Sequence, residues 1–295
     1  MKRICGPAMR ILDYGRMIKF SHSLFALPFA MASFTFAVDM FSIPPDVWLI
    51  KLLWILIAMV SARSAAMGFN RLADRQLDAL NPRTRTRELP AGVISPGAVL
   101  VFVSVSALIF LFSAAMLNRI CFWLAFPVLA VLMGYSFLKR VWAGTHFVLG
   151  LSLGIAPSGV WLGLTGGLHI VPILLSAAVG VWTAGFDILY AIQDVDFDRQ
   201  HGVHSIPADM NLHTAIVISR LCHTFMVLFL VILHILYPAG WILWTGTGII
   251  SIFIIYEHHL VYRSHDNIAK AFFNMNGMIS LLYFGFVLLD RIFLS

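Results

Sequence analysis

The sequence predicts an all-α, polytopic membrane protein. It reads as a single domain over residues 1–295, a bundle of nine transmembrane helices made of two four-helix pseudo-repeats plus one. Three observations predict this. Hydrophobic residues make up 60% of the chain and charged residues 12%, with a mean hydropathy of +0.89, far from soluble averages. Nine stretches reach the roughly 20 mainly apolar residues that a span needs. Lysine and arginine concentrate on alternate connections between them.

The first span, 20 to 41, follows the basic lead-in MKRICGPAMRILDYGRMIKF, which lacks the unbroken apolar core and small-residue cleavage site of a signal peptide. The second, 47 to 68, runs on into NRLADRQLD. Spans at 95 to 117, at 120 to 138 ending in YSFLKR, and at 142 to 165 come next. The last of these carries GLSLG, whose Gly150 and Gly154 permit close helix packing, within the bundle or between chains. The sixth, 168 to 189, runs on into DILYAIQDVDFD, and 213 to 237, 239 to 256 and 271 to 290 complete the set.

With the N-terminus inside, the basic residues of the first 19 positions fall on one side. So do the arginines from Arg71 to Arg87, Lys139, Arg140, Arg199, Arg220, Arg263 and Lys270. Only Lys51, Arg119 and Arg291 fall opposite, and Arg63 sits within a span. Retained positive charge marks the cytoplasmic face, so the expectation is N-in, C-out in a bacterial-type inner membrane. The net charge of +6 then belongs beside anionic lipid and calls for no nucleic acid. No obligatory protein partner is implied. Cys5, Cys121 and Cys222 share no C-x-x-C spacing. The pairs His201 with His204 and His258 with His259 lack the H-E-x-x-H arrangement and read as polar residues at headgroup level.

The acidic residues are more informative. Asn70, Asp74 and Asp78 step by four, so on a helix they form one stripe. Asp187, Tyr190, Asp194 and Asp198 step by three, four and four, again one stripe, with Asp196 pointing elsewhere. Asp74 and Asp78 precede Asp194 and Asp198 by 120 residues each, a segment holding four spans, which returns the chain to the same side. RTRELPAG after the first stripe rhymes with HGVHSIPA after the second, a short parallel repeat that would set both acidic helix ends on one cavity.

Carboxylates in one cavity repel by about 4 kcal/mol per pair at an effective dielectric near 20 unless a cation bridges them. Oxygen donors without histidine or thiolate suit magnesium, which takes its remaining ligands from water and phosphate. The expected guest is a magnesium-bridged diphosphate. Tyr135 and Lys139 lie four apart at the inner end of the fourth span with Arg140 beside them, and Lys139 offers a point charge to a diphosphate oxygen.

With these residues in view, the sequence resembles the UbiA-type intramembrane aromatic prenyltransferases. Their pattern has N-x-x-x-D-x-x-x-D after the second helix, Y-x-x-x-K after the fourth and D-x-x-x-D after the sixth. Here these read Asn70, Asp74 and Asp78; Tyr135 and Lys139; Asp194 and Asp198. The resemblance implies magnesium-dependent transfer of a polyprenyl chain from polyprenyl diphosphate to an aromatic acid in ubiquinone or menaquinone synthesis. The four aspartates would hold the metal. Asn70, Lys139, Arg63, Arg140 and Tyr135 would bind the diphosphate, and Asp187, Tyr190 and Lys139 would serve the chemistry. Arg71 stands where the 4-hydroxybenzoate branch commonly has a second acidic residue. The first helix reads KFSHSLFALPFA where that branch often has an arginine followed by a lysine-proline pair, and Lys19 and His22 are the candidates for those places. HSIPA is closer to the futalosine-route menaquinone branch, which acts on a dihydroxynaphthoate, so both acceptors stay open. A cation-coupled secondary transporter would also have many spans and intramembrane acids. Acids at inner helix ends, beside arginine-rich loops, suit a phosphate guest better.

Overall fold

A computed structural model describes the backbone of residues 13–18, 25–263 and 268–294, and the side chains of 13–18, 25–261 and 275–293. Among the described residues the regular structure is helical throughout. Nine long helices carry it: α1 (Leu27–Met40), α2 (Pro45–Leu80), α3 (Pro96–Leu117), α4 (Arg119–Leu138), α5 (Thr145–Thr165), α6 (Ile170–Ala191), α7 (Leu212–Leu236), α8 (Trp241–Arg263) and α9 (Ile268–Leu294). Seven of the described helices are long and apolar enough to cross a membrane. The first expected span appears as only the 14 residues of α1. The eighth, α8, has 23 residues but carries Glu257, His258 and His259 toward its end.

Polar caps set several boundaries. The Ser95 hydroxyl accepts from the Ala98 amide ahead of Pro96, so α3 starts there. The Asn118 side chain accepts from the Cys121 amide, so α3 and α4 are separated by one residue. Asn211 caps α7 through the Thr214 amide. Helix α2 is continuous for 36 residues, well past the apolar stretch, and this carries Asn70, Asp74 and Asp78 out of the membrane core on one rod.

Chain neighbours α2 and α3, α5 and α6, α6 and α7, and α8 and α9 pack against each other, while α1 closes the bundle on α5 and α9. The core is aromatic: Phe29 lies 5.2 Å from Trp182 and 5.1 Å from Tyr283, centroid to centroid, and Trp182 lies 4.9 Å from Phe186. Large apolar side chains such as Leu108, Phe112, Ile252 and Ile292 face outward, as a lipid-facing surface requires. At the end opposite the acidic stripes, Asp290 accepts from the Gly240 and Leu243 amides at 3.0 and 3.1 Å, which fixes the start of α8. Arg291 ties Asp39 and Tyr237 to the same corner.

The GLSLG stretch packs within the bundle. A Cβ on Gly150 would meet the Gly180 carbonyl oxygen at 2.3 Å, and one on Gly154 the Ser176 carbonyl oxygen at 2.7 Å. Ser158 and Ser176 share a 2.7 Å hydrogen bond further along this α5–α6 seam. The histidine pairs do not act as pairs: His201 turns to the Phe197 carbonyl, His204 to Asp209, and His258 to His223. Cys121 and Cys222 are buried free thiols, and Cys5 lies outside the described residues.

Candidate active site

One cavity of about 1070 Å³ runs between α2, α4, α5 and α6, apolar through most of its depth. Asn70, Asp74, Asp78, Asp187, Tyr190, Asp194 and Asp198 all line it, as do Tyr135, Lys139 and Arg63. Arg140 does not. Its guanidinium turns back to the Ala73 carbonyl and over the Phe137 ring. Lys19 and His22 lie outside the described residues.

The first stripe is a continuous face of α2. Asn70 Nδ2 donates to Asp74 Oδ2 at 3.0 Å and to Ser136 Oγ on α4 at 3.3 Å. Lys139, at the end of α4, reaches the same Asp74 oxygen at 2.5 Å. Asp78 receives Arg87 on both oxygens at 2.7 and 2.9 Å and has Arg71 at 3.9 Å. Arg71, where an acidic residue was noted for the 4-hydroxybenzoate branch, also donates to the Met17 carbonyl and so fastens the 13–18 segment to α2.

The second stripe is built differently from the single helix that its spacing implied. Helix α6 stops at Ala191, Ile192–Asp194 tightens into a 3₁₀ turn, and a short helix covers Val195–His201. Asp194 and Asp198 still line the cavity while Asp196 is exposed. Asp194 takes Asn81 at 3.2 Å and Arg83 through two guanidinium bonds, and Arg83 also donates to the Tyr190 hydroxyl at 2.9 Å. Burial works to lower the Arg83 pKa, but the hydrogen bonds to Asp194, with Tyr190 beside it, raise it above the ordinary arginine value. Arg83 is therefore a permanent cation on the cavity rim. Asp198 accepts from the Ser205 hydroxyl at 3.0 Å.

Asp74, Asp78 and Asp194 are thus each paired with a cation, Asp78 and Asp194 with the loop arginines Arg87 and Arg83, while Asp198 has only the Ser205 hydroxyl. Arg83, Arg87 and Asn81 were not recognised as site residues, although their closeness to the first stripe in sequence was a usable signal. His146, which meets Asp187 at 2.7 Å, carried no such signal. Among the described residues no three metal-ligating groups converge on a point. Even so, Asp74 Oδ1 is buried without a hydrogen-bond partner, and every candidate donor on the rim is oxygen. That donor set fits magnesium completed by water and phosphate oxygens.

A helical membrane bundle with a deep apolar cavity and a rim of alternating acids and cations has a matching family. The model of the UbiA prenyltransferase family matches residues 26–281. The chain belongs to this family and is a membrane-embedded prenyltransferase. It is 31% identical over 230 residues to a 4-hydroxybenzoate octaprenyltransferase of Pseudoalteromonas translucida, covering 77% of this chain and 78% of that one. A UbiA homolog from Aeropyrum pernix solved in apo form is 30% identical, with a TM-score of 0.81 over 92% of this chain and 98% of that one. A UbiA homolog from Archaeoglobus fulgidus, solved bound to DMAPP and Mg2+, shares the fold at 20% identity, with a TM-score of 0.71 over 96% of this chain and 100% of that one. Membership in an enzyme family sets the transporter reading aside.

Proposed function

We propose that the chain transfers a polyprenyl group from polyprenyl diphosphate to an aromatic quinone precursor, 4-hydroxybenzoate or a dihydroxynaphthoate, in a magnesium-dependent reaction. One observation carries the reading: the charged rim and the long apolar cavity are one continuous space, matched to a diphosphate with a hydrocarbon tail. The DMAPP and Mg2+ found with the Archaeoglobus fulgidus homolog, and the acceptor named for the Pseudoalteromonas translucida relative, agree with it.

Asp74, Asp78, Asp194 and Asp198 would hold magnesium, which when bound supplies charge neutralisation for the leaving diphosphate. Lys139, Arg83 and Arg87 contribute fixed positive charge at the same rim, and Arg71 adds a fourth cation. Each of these cations lies beside a rim carboxylate, and a bound diphosphate would share the cation with it. As the allylic C–O bond breaks, the apolar walls keep water from the carbocation. Tyr190 presents a ring to it or orients the acceptor. Asp187, on the cavity wall above the rim, receives the proton lost when the aromatic ring carbon bonds to the prenyl chain. We place the rim and the N-terminus on the cytoplasmic side of a bacterial-type inner membrane, from the distribution of lysine and arginine.

The test uses membranes containing the chain, incubated with a polyprenyl diphosphate, magnesium and either aromatic acid. Diphosphate release together with a lipid-soluble aromatic product is expected with at least one acid, and its loss in excess chelator. Full turnover in chelator would remove the metal from the scheme, and no product with any acid would sink the reaction.

A further inference from the structure

We propose that His146 is a positioning residue for this reaction, one that holds Asp187 as an oriented carboxylate on the acceptor side of the cavity. The inference rests on the prenyl-transfer reading above and adds a residue that neither the stripes nor the rim contains.

The argument starts with the backbone. The Ile206 amide lies 3.3 Å from His146 Nε2, and a backbone N–H can only donate. Nε2 is therefore the lone-pair nitrogen of a neutral imidazole, and the ring proton sits on Nδ1. Nδ1 lies 2.7 Å from Asp187 Oδ2, so the histidine donates and the carboxylate accepts. The amide fixes the tautomer, and the tautomer fixes which partner carries the negative charge. His146 is 2% exposed, with one ring nitrogen bound to each partner, so the ring has no other orientation that keeps both bonds.

Asp187 in turn has one oxygen on His146 and lines the cavity. Its other oxygen is left for a molecule inside. In the reaction, the bond from C1 of the prenyl chain to the diphosphate oxygen breaks with its electron pair leaving on diphosphate. The ring carbon then bonds to C1, and the ring proton passes to the free Asp187 oxygen. An acceptor in that position needs a base whose lone pair points one way, and the hydrogen bond from His146 supplies that direction without reaching the substrate.

The α5–α6 seam supports the assignment. His146, Gly150, Gly154 and Ser158 step by four along α5, so they share one face. That face meets Ser176 and Gly180 of α6. Two glycines bring the backbones close enough for an imidazole at the end of the row to reach a carboxylate on the facing helix.

Two substitutions separate positioning from mere loop attachment. His146→Asn keeps an amide N–H near the Nδ1 position and can still donate to Asp187. His146→Gln puts its amide near the Nε2 position and can still accept from Ile206, but loses the donation. We expect His146→Asn to retain most turnover. His146→Gln should lower kcat by about 10- to 100-fold, at or below the lower end of the roughly 10²- to 10⁴-fold that general-base assistance provides because Asp187 itself remains, and leave the apparent KM for prenyl diphosphate unchanged. In an Asp187→Asn background, His146→Gln should cost nothing further, because both changes remove the same function.

Retained activity in the Gln variant with loss in the Asn variant would assign His146 to the 203–206 loop instead. Additive losses in the double variant would place His146 outside the Asp187 function. Failure of His146→Gln to give folded protein in detergent would also count against the proposal, which requires a folded, slowed enzyme. Inactivity of the unsubstituted chain with every acceptor would overturn the prenyl-transfer reading itself, and it is seen before any variant is compared.

Discussion

Substituting Gly150 by alanine tests whether the α5–α6 seam sets the acceptor side of the site. The new Cβ would lie 2.3 Å from the Gly180 carbonyl oxygen, whereas a relaxed carbon–oxygen contact is about 3.3 Å or more. The backbone oxygen cannot rotate away as a side chain would, so the helices must part by roughly 1 Å. Overpacking of this kind costs about 1–3 kcal/mol, of which alanine's better helix propensity offsets up to about 1 kcal/mol. His146 is one turn along α5 from Gly150, about 6 Å of rise. A 1 Å opening there would lengthen the His146–Asp187 contact from 2.7 Å beyond hydrogen-bond range.

Gly180→Ala is the internal control. Its Cβ would meet the Gly150 carbonyl oxygen at 3.5 Å, an ordinary contact, so only the propensity gain remains. Melting curves of the purified protein in detergent, with kcat at saturating prenyl diphosphate, measure both variants. Gly150→Ala should melt lower and turn over more slowly, and Gly180→Ala should match or exceed the parent in stability. Equal stability of the two variants would show that the seam relaxes freely and would refute the packing argument.

Lys139→Met keeps an apolar stem and removes the charge that sits 2.5 Å from Asp74; the apparent KM for prenyl diphosphate should rise with acceptor choice unchanged, measured by varying both substrates. Asp194→Ala should abolish most turnover because it removes a proposed magnesium ligand and also leaves Asn81 and Arg83 without their shared partner, while the exposed Asp196→Ala should be mild; equal losses would mean that the 3₁₀ turn does not phase the stripe as described. Asp290→Ala removes the acceptor for the Gly240 and Leu243 amides and for Arg291. Leaving such buried donors unsatisfied costs about 1–3 kcal/mol, so melting should fall while turnover per folded molecule holds.

The sequence by itself determined the membrane class, the approximate spans and the two acidic stripes. These are local properties: hydropathy is summed along the chain, and residues four apart share a helix face whatever that helix packs against. It therefore placed Asp74 and Asp78 on one face and Asp196 off the other. The break at Ile192–Asp194 was not legible, because a 3₁₀ turn preserves nearly the same spacing while changing the backbone hydrogen bonds. Tertiary structure alone decided the partners. Asn81 meets Asp194 across 113 residues and His146 meets Asp187 across 41. Only the tertiary structure showed that Gly150 faces Gly180 inside the bundle and that Arg140 points away from the cavity. Such contacts depend on how closely helices approach and how they are rotated about their axes. That is settled by the packing of all the helices together, and no period in a single helix encodes it.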